Sequence, residues 1–292
     1  MINWSAIADA ISTATQNCFQ IAHAAPLSGG CINQAWRIES RDGARYFVKL
    51  NSAGKLPMFE AEQTGLAAIA ATQTVRVPQP LTCGICGEHT FLVLEFLELR
   101  GSGNERLLGA QLAALHRVQA RQFGFARDNT LGDTQQQNSW ASDWITFWKE
   151  QRLGFQLNLA ARNGHSGSLQ TLGERLLEEL PELLDGYTPS PSLLHGDLWG
   201  GNHAFLTDGA PVLFDPAPYY GDREADLAMT ELFGGFGPEF YAAYSAAWPL
   251  DAGYATRKSL YNLYHVLNHA NLFGGGYVQQ AESMMKRLLE HD

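Results

Sequence analysis

Alternating apolar positions dominate the first third of this 292-residue chain, and helical spacing dominates the rest. Residues 3–17 place apolar side chains at helical intervals and predict an opening amphipathic helix. AWRIES and RYFVKL are rich in β-formers and flank the turn signal RDG, which predicts a hairpin. After Pro57, Phe59, Leu66 and Ile69 recur at helical spacing in a run of good helix formers. TVRVPQPLT and TFLVLEFL then read as two strands around a Cys- and Gly-bearing turn. Past Leu99 the period changes: ERLLGAQLAALHRVQ, SDWITFWKEQRLGFQLNLAAR and SLQTLGERLLEELPELL are helical, and helix is expected to the end except for one short strand pair, HAFL and VLFD. ELRGSGN, near residues 96–103, reads as a loose connector. The expectation is an α+β protein with a small β-rich lobe over 1–97 and a larger helical lobe over 98–292.

Composition narrows the function. At 45% apolar and 17% charged residues the chain is a folded globular protein. A net charge of −10 argues against coating nucleic acid or docking on an anionic membrane. No apolar run approaches the roughly 18 residues of a membrane span, and the first residues lack the pattern of a signal peptide. Four cysteines, Cys18, Cys31, Cys83 and Cys86, are too few for a disulfide scaffold at this length, and a reducing cytoplasm is the simplest home. CGICGEH contains a C-x-x-C pair with a histidine, but no second pair follows at a suitable interval, so a hairpin turn is expected there and not zinc.

The chemistry gathers in LLHGDLWGGN (Leu193 to Asn202) and VLFDPAP (Val212 to Pro218). His195, Asp197, Asn202 and the later Asp215 reproduce the spacing of a phosphoryl-transfer loop. Asp197 is the candidate catalytic carboxylate for a substrate hydroxyl. Asn202 and Asp215 offer hard oxygens that suit Mg²⁺. The bland reading is a polar turn between buried strands, and the offset of the asparagine with the Phe214-Asp215 pair weighs against it.

Such a site needs further parts upstream, and they occur in order. Gly29, Gly30 and Cys31 sit in a turn between early strands that would cover phosphates; taken alone they are only a turn. Lys49 lies on the third strand, where an exposed strand-end lysine is the competing reading. Glu62, on the border of the apolar helix face, is expected to hold that lysine, with Glu60 as the rival. Glu95, Phe96 and Leu97 end an apolar strand and would offer backbone hydrogen bonds to adenine.

These residues bring the chain close to a known pattern. GGCIN, FVKLN, MFEAE, LLHGDLWGGN, FDPAPYYGDREADLAM and ELFGGF resemble the fructosamine kinase (ketosamine-3-kinase) family, within the protein-kinase-like superfamily that includes aminoglycoside phosphotransferases and choline kinases. The resemblance implies a two-lobed kinase-like fold, ATP and Mg²⁺, and phosphorylation of the C3 hydroxyl of a small-molecule or protein-bound ketosamine of the fructosamine, ribulosamine or erythrulosamine type, a deglycation reaction. It also implies that Asp226 and His195 support the catalytic loop. Trp199 would wall the sugar, against the alternative of a ring packed in the helical lobe. Asp143, Trp144, Trp148, Asp222 and Glu224 are candidates for an acidic, aromatic acceptor cleft, and His265, Asn268 and His269 either line it or pack within a helix. Relatives in the family include members with a redox-sensitive cysteine at the position of Cys31, so the resemblance implies either a monomer or a redox-linked homodimer, against a reading of Cys31 as a small turn residue. The competing functions are another small-molecule kinase of this class and a nucleotide-binding protein without catalysis.

Overall fold

The computed structural model describes residues 2–28 and 32–290. In chain order, α1 (Trp4–Thr15) leads into β1 (Ile21–Leu27), β2 (Gln34–Ser40) and β3 (Arg45–Ser52), and α2 (Leu56–Ala71) precedes β4 (Pro80–Cys86), β5 (His89–Glu95) and β6 (Leu99–Arg100). Next come α3 (Glu105–His116), β7 (Asn129–Leu131), β8 (Thr134–Gln136), α4 (Trp144–Phe147), α5 (Phe155–Arg162) and α6 (Ser168–Leu183). The remainder holds β9 (Ser192–Leu193), β10 (His203–Leu206), β11 (Pro211–Leu213) and β12 (Tyr220–Gly221). It closes with α7 (Glu224–Leu232), α8 (Pro238–Ala247), α9 (Tyr254–Phe273) and α10 (Gly276–Leu289). Two compact units result, one of residues 1–104 with 203–216, the other of 105–202 with 217–292.

In the first unit, β1-β2-β3-β5-β4 form an antiparallel five-stranded sheet. Because side chains alternate across a strand, Ile38, Val48, Leu50, Phe91 and Val93 point to one face and pack with Ile7 and Ile11 of α1. The register sets Lys49 opposite Leu92 and Phe47 opposite Leu94, so these share the other face. Phe59, Leu66 and Ile69 of α2 are buried as their spacing predicts, and Pro57 sits in the first turn, where its missing N–H costs nothing. CGICGEH is the β4–β5 hairpin, and among the described residues no group of three or more His, Cys, Asp or Glu side chains could hold a metal.

A single cut near residue 97 does not describe the division. Leu99 and Arg100, expected in a loose connector, pair with Leu206 and Phe205 of β10. Arg76 bridges Val212, and the Leu213 N–H donates to the Arg76 carbonyl at 2.9 Å. The hairpin 203–216 therefore finishes the first unit although it lies far along the sequence.

The second unit is mainly helical but less purely than the periodicity suggests. The expected strand pair belongs to the first unit, and here β7 and β8 form a hairpin and β9 pairs with β12. The long helix expected over 142–162 is interrupted by a π-helical segment, Trp148–Gly154. Closing hydrogen bonds on the fifth residue slows the rotation per residue, and both Arg152 and Leu153 turn inward to join Trp144, Phe147 and Trp148 in the core. Among the described residues no helix is long and apolar enough to cross a membrane.

α3 and α8 meet at Gly109, where an added Cβ would come within 2.2 Å of the Phe240 carbonyl oxygen. Backbone atoms cannot yield as a side-chain tip can. Gly109→Ala should therefore destabilise the protein by about 1–3 kcal/mol in denaturant unfolding, an overpacking cost. Unchanged stability would show that the helices separate freely.

Candidate active site

The first unit supplies a buried cation between carboxylates. Lys49 Nζ lies 2.6 Å from Glu62 Oε1 and 2.6 Å from Asp215 Oδ1. Lys49 is only 6% exposed, so the strand-end surface lysine is ruled out. Glu62 falls three residues after Phe59 and four before Leu66, which places it in the buried stripe and decides for it over Glu60. Burial works against the Lys49 ammonium, but the Asp215 and Glu62 carboxylates outweigh it and hold the lysine above its ordinary value. Burial and the neighbouring Asp215 push Glu62 upward, against the pull of Lys49. Asp215 has φ +56°, a left-handed conformation uncommon outside glycine, just past the end of β11. Its side chain remains 44% exposed.

At the end of β5, the Glu95 N–H donates to the Gln79 carbonyl at 2.9 Å, and its carboxylate pairs with Arg76. The Phe96 ring lies under the Arg37 and Arg45 guanidiniums, with Leu97 following in the connector. Gly29, Gly30 and Cys31 lie outside the described residues.

In the second unit a buried carboxylate shapes the loop. Asp226, in the first turn of α7, accepts the backbone N–H of His195 at 2.7 Å and of Gly196 at 2.8 Å, and meets His116 Nε2 at 3.1 Å. Burial works against this carboxylate, but the hydrogen bond and charge of His116, with His195 and the Gly196 N–H, hold it below the usual range. Gly196 has φ +83°, and a Cβ there would meet the Ala217 carbonyl oxygen at 1.9 Å, so only glycine fits. The loop ends are tied down as well: Leu194 N–H donates to Tyr219 O and Ala217 N–H to His195 O. Gln136 and Asn129 of the unforeseen hairpin donate to the Ala217 and Pro218 carbonyls. His116 was not singled out from the sequence; its one signal is a polar residue closing the buried stripe of Leu112 and Leu115 on α3.

The loop presents Asp197, whose N–H donates to His195 Nδ1 at 3.3 Å. Asn202 Nδ2 donates to the Asp197 carbonyl at 2.8 Å and to Asp197 Oδ2 at 3.1 Å. That commits the amide nitrogen and leaves Oδ1 as the oxygen Asn202 can offer a cation. Such an oxygen is a hard donor of the kind Mg²⁺ takes. Trp199 is 41% exposed, which excludes a ring packed in the core.

The residues expected around an acceptor are mostly structural. Trp144 and Trp148 are core rings, and Trp144 Nε1 donates to the Tyr261 hydroxyl at 3.1 Å. Asp143 caps α4 by accepting from the Thr146 N–H at 3.0 Å. Buried Asp222 accepts from the Tyr187 and Tyr261 hydroxyls, and buried Glu224 is held by both Arg257 Nε and Nη2 at 2.6 and 3.0 Å. His265 and Asn268 are buried within α9, whereas His269 is half-buried.

Burial, with His269 and Arg152 nearby, pulls His265 down to about 3. A histidine kept neutral in the fold but free to protonate when unfolded stabilises the protein fully above its unfolded value, and loses that stability as pH falls toward the folded one. The slope reaches about 1.4 kcal/mol per pH unit. His265→Gln should flatten the loss of unfolding free energy between about pH 6 and pH 4. An unchanged slope would remove His265 as a source of acid sensitivity.

Residues 3–291 match the family model for fructosamine kinase. A probable ketoamine kinase from Synechocystis sp. is 50% identical over 290 residues, covering 98% of this chain and 97% of that one. The chloroplastic protein-ribulosamine 3-kinase of Arabidopsis thaliana is 43% identical over 270 residues, covering 91% of this chain and 82% of its own. A crystal structure from Haemophilus somnus, assigned as a fructosamine-3-kinase, superposes with a TM-score of 0.88 at 31% identity over 98% of this chain and 97% of that one. An ADP-bound aminoglycoside phosphotransferase shares the fold, with a TM-score of 0.63 at 12% identity over 95% of this chain and 98% of that one. The chain belongs to the fructosamine kinase family.

Proposed function

We propose that this protein uses ATP to phosphorylate the C3 hydroxyl of ketosamines of the fructosamine, ribulosamine or erythrulosamine type, and so begins the deglycation of amines or proteins. The observation that carries the reading is the Asp197 carboxylate, set on a loop that Asp226 fixes and steadied by the Asn202 amide. Membership of the family and the names of its relatives support the acceptor class.

In this reading Asp197 accepts the hydrogen bond of the acceptor hydroxyl, aims its oxygen at the γ-phosphorus and takes the proton as the new O–P bond forms and the β–γ bridge breaks. The transition state of phosphoryl transfer is loose, so aim matters more than full deprotonation. Lys49 binds phosphate oxygens, with Glu62 holding its ammonium in place. Asn202 Oδ1 and the Asp215 carboxylate would hold Mg²⁺, which would supply charge neutralisation on the phosphates. Gly29, Gly30 and Cys31, which lie outside the described residues, are the candidates to cover the phosphates, and the Glu95–Leu97 backbone is the candidate to meet adenine. Trp199 offers its exposed face to the sugar. The 3-phosphate breaks down and the amine is released.

Coupled ADP detection over a panel of ketosamines, with an aminoglycoside and choline as rivals, tests the reading. Turnover of a rival without any ketosamine overturns it. Asp197→Ala should bind ATP as the parent does and lose about 10²- to 10⁴-fold in turnover. Near-parent turnover would take the catalytic role from Asp197. Oxidation at Cys31 is the proposed brake on ATP binding. Peroxide should inhibit the parent and spare Cys31→Ala; equal responses would remove the switch.

A further inference from the structure

Two helices of the second unit end alike. α7 stops at Leu232 before Phe233-Gly234-Gly235, and α9 stops at Phe273 before Gly274-Gly275. All four glycines have positive φ, from +60° to +104°. Such residues turn the chain sharply away from the helix axis and leave the preceding ring at the surface. Phe233 is 44% exposed and Phe273 66%.

The exposed rings are gathered. Ring centroids of Phe233, Phe273 and Tyr277 lie 5.1, 5.6 and 5.0 Å from that of His269. This cluster adjoins the catalytic loop, since a Cβ on Gly235 would come within 2.5 Å of the Gly200 Cα. Gly200 directly follows the exposed Trp199. His269 itself is oriented: its Nδ1 lies 2.8 Å from the His265 carbonyl oxygen. A carbonyl only accepts, so Nδ1 carries the hydrogen, and Nε2 is the ring nitrogen left for another partner. Elsewhere in the unit aromatic faces are met by arginine, as in Arg223 over Trp248, Arg152 over Tyr219 and Arg257 over Tyr187. Among the described residues no lysine or arginine lies over Phe233, Phe273 or Tyr277.

We propose that Phe233, Phe273 and Tyr277, with Nε2 of His269, bind the substituted ammonium of the acceptor and the alkyl carrier attached to it. The proposal rests on the ketosamine reading and deepens it: this surface selects the amine carrier, while Trp199 and Asp197 handle the sugar. The chemistry is complementary. A protonated secondary amine presents N–H donors and a positive charge spread over its neighbouring CH₂ groups. The π faces attract the polarised CH₂ groups, Nε2 takes one N–H, and the carrier lies along the exposed rings.

The test compares two acceptors that share one ketose, one carrying an alkylamine and the other an ether oxygen in place of the nitrogen. Phe273→Ala alters a mostly exposed ring, so the variant should fold. It should lose about fivefold to tenfold in kcat/KM for the amine acceptor, mainly through KM, and at least threefold less for the ether. Phe233→Ala should behave likewise, and Phe273→Trp should restore the preference where Phe273→Leu, of similar apolar size but without a π face, does not. Equal losses for both acceptors, no loss for either, or a change only in oligomeric state on gel filtration would overturn the proposal while leaving the ketosamine reading intact. A parent enzyme that turns over no ketosamine would overturn that reading itself.

Discussion

One buried carboxylate determines whether the chemistry of this protein has a fixed address. Asp226 accepts two successive loop amides and faces the His116 ring, so groups from two distant parts of the sequence converge on one side chain. A carboxylate out of water is tolerable only when its lone pairs are used. The cost of burying it thus becomes a source of rigidity, because the loop cannot move without stripping donors from a desolvated charge. Asp197, a residue beyond the second amide, inherits that rigidity.

The first unit applies the same economy in the opposite sense. Its buried charge is a cation, and two acids compete for it. Glu62 sits deep in the α2 packing face, while Asp215 is on an exposed turn with a strained backbone. The ammonium thus has one permanent partner and one that solvent or a ligand can replace. An anion arriving at Lys49 would take over a place already electrostatically prepared.

Much of this was legible in the sequence because its causes are local. The RDG hairpin, the stripe of Phe59, Leu66 and Ile69, and the spacing of His195, Asp197 and Asn202 each rest on neighbours within a few residues. The choice of Glu62 over Glu60 follows from that same helical period. What stayed hidden depends on distant partners. Strands as short as β9 and β12 have no pattern of their own and exist because Leu193 finds Tyr220. Asp222 and Glu224 read as acids of an acceptor cleft, since the sequence does not reveal that Tyr187, Tyr261 and Arg257 fold over them. The return of 203–216 to the first unit was hidden for the same reason: the partners Arg76, Leu99 and Arg100 lie more than a hundred residues earlier.

That return has a consequence for how the chain is made. During synthesis the five-stranded sheet can assemble early, but β6 must wait for β10, and Lys49 must wait for Asp215. Until residue 216 has emerged, the Lys49 ammonium has Glu62 but not Asp215 beside it, and the β6 edge is open. A ribosome stalled between α3 and β10 would therefore display an N-terminal body that is folded in outline but unfinished, exposed to proteases and to stray strands seeking a sheet edge. Severing the gene after residue 104 would make that unfinished state permanent.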